Sequence, residues 1–165
     1  MGRTFFLSAV VIPVAFAPAF AQPRSAEVFG QIGVARAAGD EGSLGNGPSF
    51  GGALMVPFVP KLGFDLDVQA ARTRRDVSAG FELKADQTLV NPAIVYRRGN
   101  ERAYFFAGGG VGYVSGGEKS GATLVGKFGV VAAPGKYFLL RADFLWSQQF
   151  VLPHVGVRLG VGYRF

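Results

Sequence analysis

No cysteine occurs in the 165 residues, which removes disulfides, thiolate catalysis and cysteine metal sites together. Histidine occurs once, at His154, so a multi-histidine metal centre is excluded and any hydrolytic triad would have to use that residue. After Ala21 there is no apolar run of helix-spanning length, so nothing there can cross a membrane as a helix. Acidic residues are the scarcer sign. Beyond Ala21, 16 basic residues (the chain's 17 less Arg3) stand against 11 acidic ones, a net of +5. The basic residues are scattered, which argues against nucleic acid as a partner and for contact with anionic lipid headgroups.

What is abundant points one way. Hydrophobic residues make up 49% of the chain, with a mean hydropathy of +0.28, 25 glycines and 16 phenylalanines. A greasy composition without helix-length runs is what alternating membrane strands produce, with glycines for a crowded interior and aromatics for interfaces. The first residues are of another kind. Arg3, an apolar run from Phe5 to Phe16 broken by Ser8 and Pro13, and Ala19-Phe20-Ala21 form the n-region, h-region and A-x-A site of a secretory signal peptide. The predicted division is a signal peptide over 1–21 and a single domain over 22–165. A membrane anchor is the rival, but about a dozen apolar residues interrupted by proline are too short to span.

The clearest signal is the last stretch, 154–165. Val155, Val157, Leu159, Val161, Tyr163 and Phe165 alternate with His154, Gly156, Arg158, Gly160, Gly162 and Arg164. Strict period-2 alternation over twelve residues predicts a β-strand with one apolar face. At about 3.3 Å per residue it spans roughly 40 Å, and tilted by about 45° it covers roughly 28 Å, the height of a membrane barrel's apolar band. Seven further strands precede it, at about 26–37, 49–58, 62–72, 86–97, 102–114, 123–130 and 137–146. Strand 3 alternates most cleanly: Leu62, Phe64, Leu66, Val68 and Ala70 face one way, and Gly63, Asp65, Asp67, Gln69 and Ala71 the other. Strand 5 is apolar or glycine on both sides, and Pro92 in strand 4 marks a bulge or a weak strand. Connections alternate between longer polar loops (38–48, 73–85, 115–120, 148–153) and short turns at Pro60-Lys61, Gly99-Asn100 and Pro134-Gly135. An even strand count with that alternation is the pattern of a bacterial barrel with both ends in the periplasm.

Alternation alone does not say which face is out. A secreted, lipocalin-like barrel would put the apolar face inside. The polar faces here are rich in glycine, with lone charges at strand centres: Asp65, Asp67, Lys127, Arg141, Asp143 and Arg158. Such a face suits a narrow lumen, where side chains fill the interior and the charges neutralise one another, better than water. The apolar face is therefore expected toward lipid.

With Tyr163 two residues before Phe165 on the final strand, the chain resembles the small eight-stranded bacterial outer-membrane barrels, the OmpA, OmpX and opacity-type superfamily. The resemblance implies an all-β fold, an eight-stranded antiparallel up-and-down transmembrane β-barrel preceded by a cleaved signal peptide. It implies Tyr163 and Phe165 as the signal read by the barrel-assembly machinery, and a place in the outer membrane of the Gram-negative envelope. Members serve as adhesins, envelope-stabilising proteins or phage receptors, so activity is not implied.

Two motifs carry less than they suggest. Gly121-Ala122-Thr123-Leu124-Val125-Gly126-Lys127-Phe128 mimics a phosphate-binding loop, but Phe128 replaces the metal-binding hydroxyl and no helix pattern follows, so it is taken as strand. Some eight-stranded barrels are lipid A deacylases using His, Ser and an acid. Here the His-x-Ser spacing is missing at His154, although Ser147 could approach it from strand 7. Arg72, Arg74 and Arg75 cluster where strand 3 meets a loop. They fit lipopolysaccharide phosphates, or a solvated loop balancing Asp76 and Glu82. No catalytic, cofactor or metal site is expected. The expected function is a non-enzymatic, structural or surface-interaction role through the outer loops, among outer-membrane lipids and lipopolysaccharide. A lipid A-modifying enzyme and a narrow, porin-like solute pore are the alternatives.

Overall fold

The structure, a computed structural model, describes residues 25–39, 42–77, 81–116, 120–149 and 152–165. The expected signal peptide and its cleavage site lie outside them. Eight strands follow one another: β1 Glu27–Gly39, β2 Gly42–Val59, β3 Leu62–Val77, β4 Phe81–Gly99, β5 Ala103–Ser115, β6 Gly121–Ala132, β7 Phe138–Gln149 and β8 Leu152–Arg164. Each pairs antiparallel with its neighbours in sequence, and β1 pairs with β8, so the sheet closes into a barrel. The closing seam runs from Glu27↔Arg164 to Ala37↔His154. Closure leaves no unpaired strand edge, the condition for carrying a β-sheet through hydrocarbon.

The strands face as their alternation predicts. Ile32 is 71% exposed and Leu159 63%, while Asp65 is 0% and Arg158 2% exposed. The lipocalin-like arrangement, apolar inside, is thereby reversed. For β5 the structure supplies the facing that its sequence left open: Tyr104, Phe106 and Val114 are buried, and Phe105, Val111 and Tyr113 are exposed. Gly108 is the inward position of β5 where crowding is tightest, since a Cβ there would come within 2.0 Å of the Ile94 carbonyl oxygen on β4. The expected Pro92 bulge is not there. Val90↔Tyr113 and Ile94↔Gly109 hold one register on either side of the proline. The lost N–H interrupts the ladder without shifting it.

The loops need a larger correction. Much of the polar sequence expected as loop over 38–48 and 73–85 is paired strand. The β3–β4 ladder continues through Arg72↔Asp86 to Val77↔Phe81, and β1–β2 pairs out to Gly39↔Gly42 across a register shift at Ala37/Ala38. Likewise β7 and β8 pair as far as Gln149↔Leu152. Backbone pairing does not require an apolar face, and once both faces are polar the period-2 signal vanishes while the hydrogen bonds persist. As a result β2, β3 and β4 run to 18, 16 and 19 residues, against 12 or 13 for the other strands. The phosphate-loop mimic lies within β6.

Along β1 the inward positions section the lumen. Glu27 comes first, then Phe29, Gln31, Gly33 and Ala35. Phe29 belongs to an apolar cluster with Met55, Val95, Tyr104, Phe106, Val131 and Leu139. Ala35 belongs to a second, smaller cluster with Ala71, Leu89 and Val114. Between these two apolar layers lie the charges.

Candidate functional site

All six of the lone strand charges meet in the middle of the lumen. Asp65 and Asp67 occupy successive inward positions of β3, Arg141 and Asp143 of β7, and β6 and β8 contribute Lys127 and Arg158. Arg141 is the hub. It donates to Asp65 through Nη1 at 3.2 Å and Nη2 at 2.8 Å, and to Asp143 through Nε at 2.6 Å. Arg158 donates from Nε to Asp143 at 2.7 Å and from Nη1 to Asp67 at 2.7 Å. Its Nη2 also lies 2.7 Å from the second Asp67 oxygen, but without the angle of a hydrogen bond. Lys127 Nζ sits 3.2 Å from Asp65 and 3.7 Å from Asp67. Gln31 Nε2 on β1 donates to Asp143 at 2.9 Å.

Three carboxylates and three cations in one buried net are electrically balanced. That balance matters because an unpaired charge in a desolvated interior costs several kcal/mol. The Arg141 guanidinium also lies over the Phe106 ring at 4.5 Å and the Phe29 ring at 5.1 Å. The charge layer is thus seated on the apolar one by cation–π contact. The net ties β1, β3, β6, β7 and β8 to one another across the barrel.

A second cluster at the terminal end was not singled out from sequence. Glu27 of β1 accepts from Arg164 of β8 through Nε at 3.1 Å and Nη2 at 2.9 Å, from Arg97 of β4 at 3.3 Å, and from the Tyr104 hydroxyl of β5. Arg97 stacks over the Tyr104 ring at 4.0 Å. Strand parity puts Glu27, Arg97 and Arg164 on inward faces. That they converge depends on β1 closing onto β8, for which no local pattern exists.

The remaining residues of interest do not assemble. Ser147 and His154 are cross-strand partners, both buried on the lumen side. Neither His154 nitrogen has a hydrogen-bond partner among the described residues, so the two do not form a nucleophile–base pair. Arg72 is exposed and lies 4.0 Å from Asp86 across the β3–β4 ladder, which makes it half of a surface ion pair. Arg74 is also exposed, whereas the side chain of Arg75 falls outside the described residues. Tyr163 and Phe165 pack edge-on at 5.1 Å, Tyr163 stacks on Tyr137 at 5.5 Å, and the Phe165 N–H donates to the Ala26 carbonyl at 3.0 Å. Together they form an aromatic collar where the seam begins. No group of three or more potential metal ligands occurs among the described residues.

No protein-family model and no curated protein matches the chain. Solved structures do. Neisserial surface protein A superposes with a TM-score of 0.71 at 15% identity, over 85% of this chain and 97% of its own. OprG, an outer membrane protein from Pseudomonas aeruginosa, gives 0.60 at 13% identity, over 87% and 97%. Ail, the attachment invasion locus protein of Yersinia pestis, was solved in complex with the heparin analogue sucrose octasulfate. It gives 0.52 at 22% identity, over 86% and 100%. With its closed ring of eight antiparallel strands and its charges turned inward, the chain has the fold of the small eight-stranded outer-membrane β-barrels.

Proposed function

We propose that the protein is an integral outer-membrane barrel, exported by the leader over 1–21, with a sealed lumen and a non-enzymatic structural or surface-interaction role. The observation that carries this is the inverted polarity of the barrel wall. Ile32, Phe105, Phe128, Leu159 and their neighbours present a continuous apolar exterior, while six charges neutralise one another inside. Water would favour the opposite arrangement, and hydrocarbon favours this one. The aromatic collar of Tyr137, Tyr163 and Phe165 supplies an interfacial girdle at the end of the barrel where β1 begins and β8 finishes. On this reading that end is periplasmic, and the extended β1–β2 and β3–β4 ribbons project outward.

Those ribbons are the support for a surface role. They carry Arg72 and Arg74 on an exposed face, suited to the phosphates of lipopolysaccharide or to another polyanion. Ail, which shares the fold, has been solved with a sulfated heparin analogue. The pore alternative is disfavoured by the charge net spanning the lumen, and the lipid A hydrolase alternative by the lumenal position of Ser147 and His154 and by the His154 ring, whose nitrogens have no hydrogen-bond partner among the described residues. The barrel-assembly machinery is the partner expected for β8 during biogenesis.

The test is single cysteines at 155–163 in protein recovered from the outer membrane of a Gram-negative host. Labels at odd positions should be quenched from the lipid phase and those at even positions should not. The recovered protein should begin at Gln22. The reverse quenching pattern, or recovery in the soluble periplasmic fraction, would overturn the proposal.

A further inference from the structure

The apolar exterior is not uniformly convex. Between Phe105 on one side and the stacked pair Phe128 and Phe144 on the other, whose centroids are 5.0 Å apart, a groove of about 610 Å³ crosses the outer wall. Small residues make its floor: Ala107 of β5 pairs with Phe128, and Ala142 of β7 pairs with Val130. Gly129 lies between, on the strand position that faces inward and adds no side chain there. Asp143 borders the groove, but its carboxylate is turned into the lumen against Arg141 and Arg158. Large side chains at the rim over Ala and Gly at the base make a furrow in the wall that lipid chains cover.

The groove ends at a charge. Arg98, an outward residue of β4 directly opposite Phe105, lines it where β4 reaches the turn at the terminal end of the barrel. Unlike Arg97, Arg141, Arg158 and Arg164, Arg98 is exposed and makes no ion pair among the described residues. Tyr96, two residues before it on the same face of β4, borders the same furrow. An apolar furrow capped by one unpaired guanidinium at interface height is complementary to one kind of molecule, an anionic head on a long apolar tail. Guanidinium and phosphate match in charge and in fork geometry.

Resting on the outer-membrane reading above, we propose that this groove is a binding site for an anionic glycerophospholipid of the periplasmic leaflet. An acyl chain lies over Ala107 and Ala142 against the Phe128–Phe144 stack, and the phosphate lies on Arg98. The lipid makes the wall smooth where the small residues leave it hollow, and it fixes the height of the barrel in the bilayer through one charged contact.

The chain contains its own reporter. Trp146 is the only tryptophan, two residues beyond Phe144 on the same outward face of β7, with its ring over Gly126. Full mature protein is refolded into phosphatidylcholine vesicles in which part of the lipid is replaced by mid-chain brominated phosphatidylcholine or brominated phosphatidylglycerol. At equal bromine content the phosphatidylglycerol should quench Trp146 with a relative association constant about five-fold higher, the size of one arginine's attraction to an anionic lipid surface. Arg98→Gln should abolish that excess and leave phosphatidylcholine quenching unchanged. Lys136→Gln, which removes another cation of the same end, should leave the excess intact. Ala142→Phe, which fills the floor, should lower the excess with Arg98 present. Equal quenching by the two lipids in the unaltered protein would overturn the proposal. So would an excess that survives Arg98→Gln, or one that Lys136→Gln removes equally, since that is diffuse surface attraction. Quenching by both lipids that falls as protein density rises would assign the groove to a second copy instead. A folded, heat-modifiable barrel whose Trp146 is quenched by neither lipid would sink the membrane reading itself.

Discussion

At the scale of single residues, two neighbours on β8 fail for opposite reasons when exchanged. Arg158 bridges Asp143 and Asp67, both fully enclosed. Arg158→Leu would leave three carboxylates facing two cations, with Asp67 keeping only the 3.7 Å contact to Lys127. The expected loss is about 3–5 kcal/mol, measured as a shift in the urea unfolding midpoint of the vesicle-embedded barrel. Removing Asp67 together with Arg158 restores the balance of charge, so the double variant should lose less than the sum of its singles. Leu159, one residue on, is 63% exposed on the outer face. Leu159→Arg should cost about 2–4 kcal/mol in the same experiment, through insertion of a charge into hydrocarbon near mid-strand. It should cost little in detergent mixtures that let the arginine reach water. Equal losses for Leu159→Arg in bilayer and in water-rich micelles would mean the face was assigned wrongly.

At the scale of elements, β8 carries both the seam and the aromatic collar. Phe165 is held by its N–H on the Ala26 carbonyl and by its ring against Tyr163. Deleting Phe165 removes a seam hydrogen bond and half of that aromatic pair. It should slow assembly into the outer membrane and raise periplasmic degradation, read as the ratio of heat-modifiable to unfolded protein over time after induction. An unchanged ratio would show that the aromatic end does not guide assembly. The elements also show how sequence signals fade. Strand 3 is legible from Leu62 because apolar and polar residues alternate there, and it becomes illegible after Arg72 because both faces are polar. Its pairing to β4 continues regardless to Val77↔Phe81, since a hairpin already in register adds each further rung with little new loop entropy to overcome. Pro92 misleads in the other direction. A proline normally argues for a bulge, but with β3 and β5 holding the strand on both sides the missing donor leaves only a gap in the ladder.

At the scale of the whole molecule, the lumen is stacked from end to end: the Glu27 cluster, an apolar layer, the six-charge net and a second apolar layer. On the proposed reading of a sealed lumen, a solute would have to break these buried ion pairs to pass. The barrel over 22–165 reconstituted in planar bilayers should give no discrete conductance at moderate voltage. Regular channel steps would revive the pore and show that the net opens. The balanced charge inside and the apolar wall outside serve the same end, since a barrel of eight strands has an interior that side chains are just large enough to fill.

The sequence by itself determined the number of strands, the parity of nearly every residue on them and the six charges of the central net. Period-2 alternation is a local property and survives in any strand whose two faces meet different surroundings. Only β5, apolar or glycine on both faces, had to wait for its neighbours to fix its direction. The tertiary structure alone decided which acid meets which base, that Glu27 of the first strand takes Arg164 of the last along with Arg97 and Tyr104, and where the outer wall hollows over Ala107 and Ala142. These depend on the stagger between strands accumulated around the ring until β8 meets β1. A shift of two residues at any one pairing would keep every residue on its own face and change every partner across the lumen.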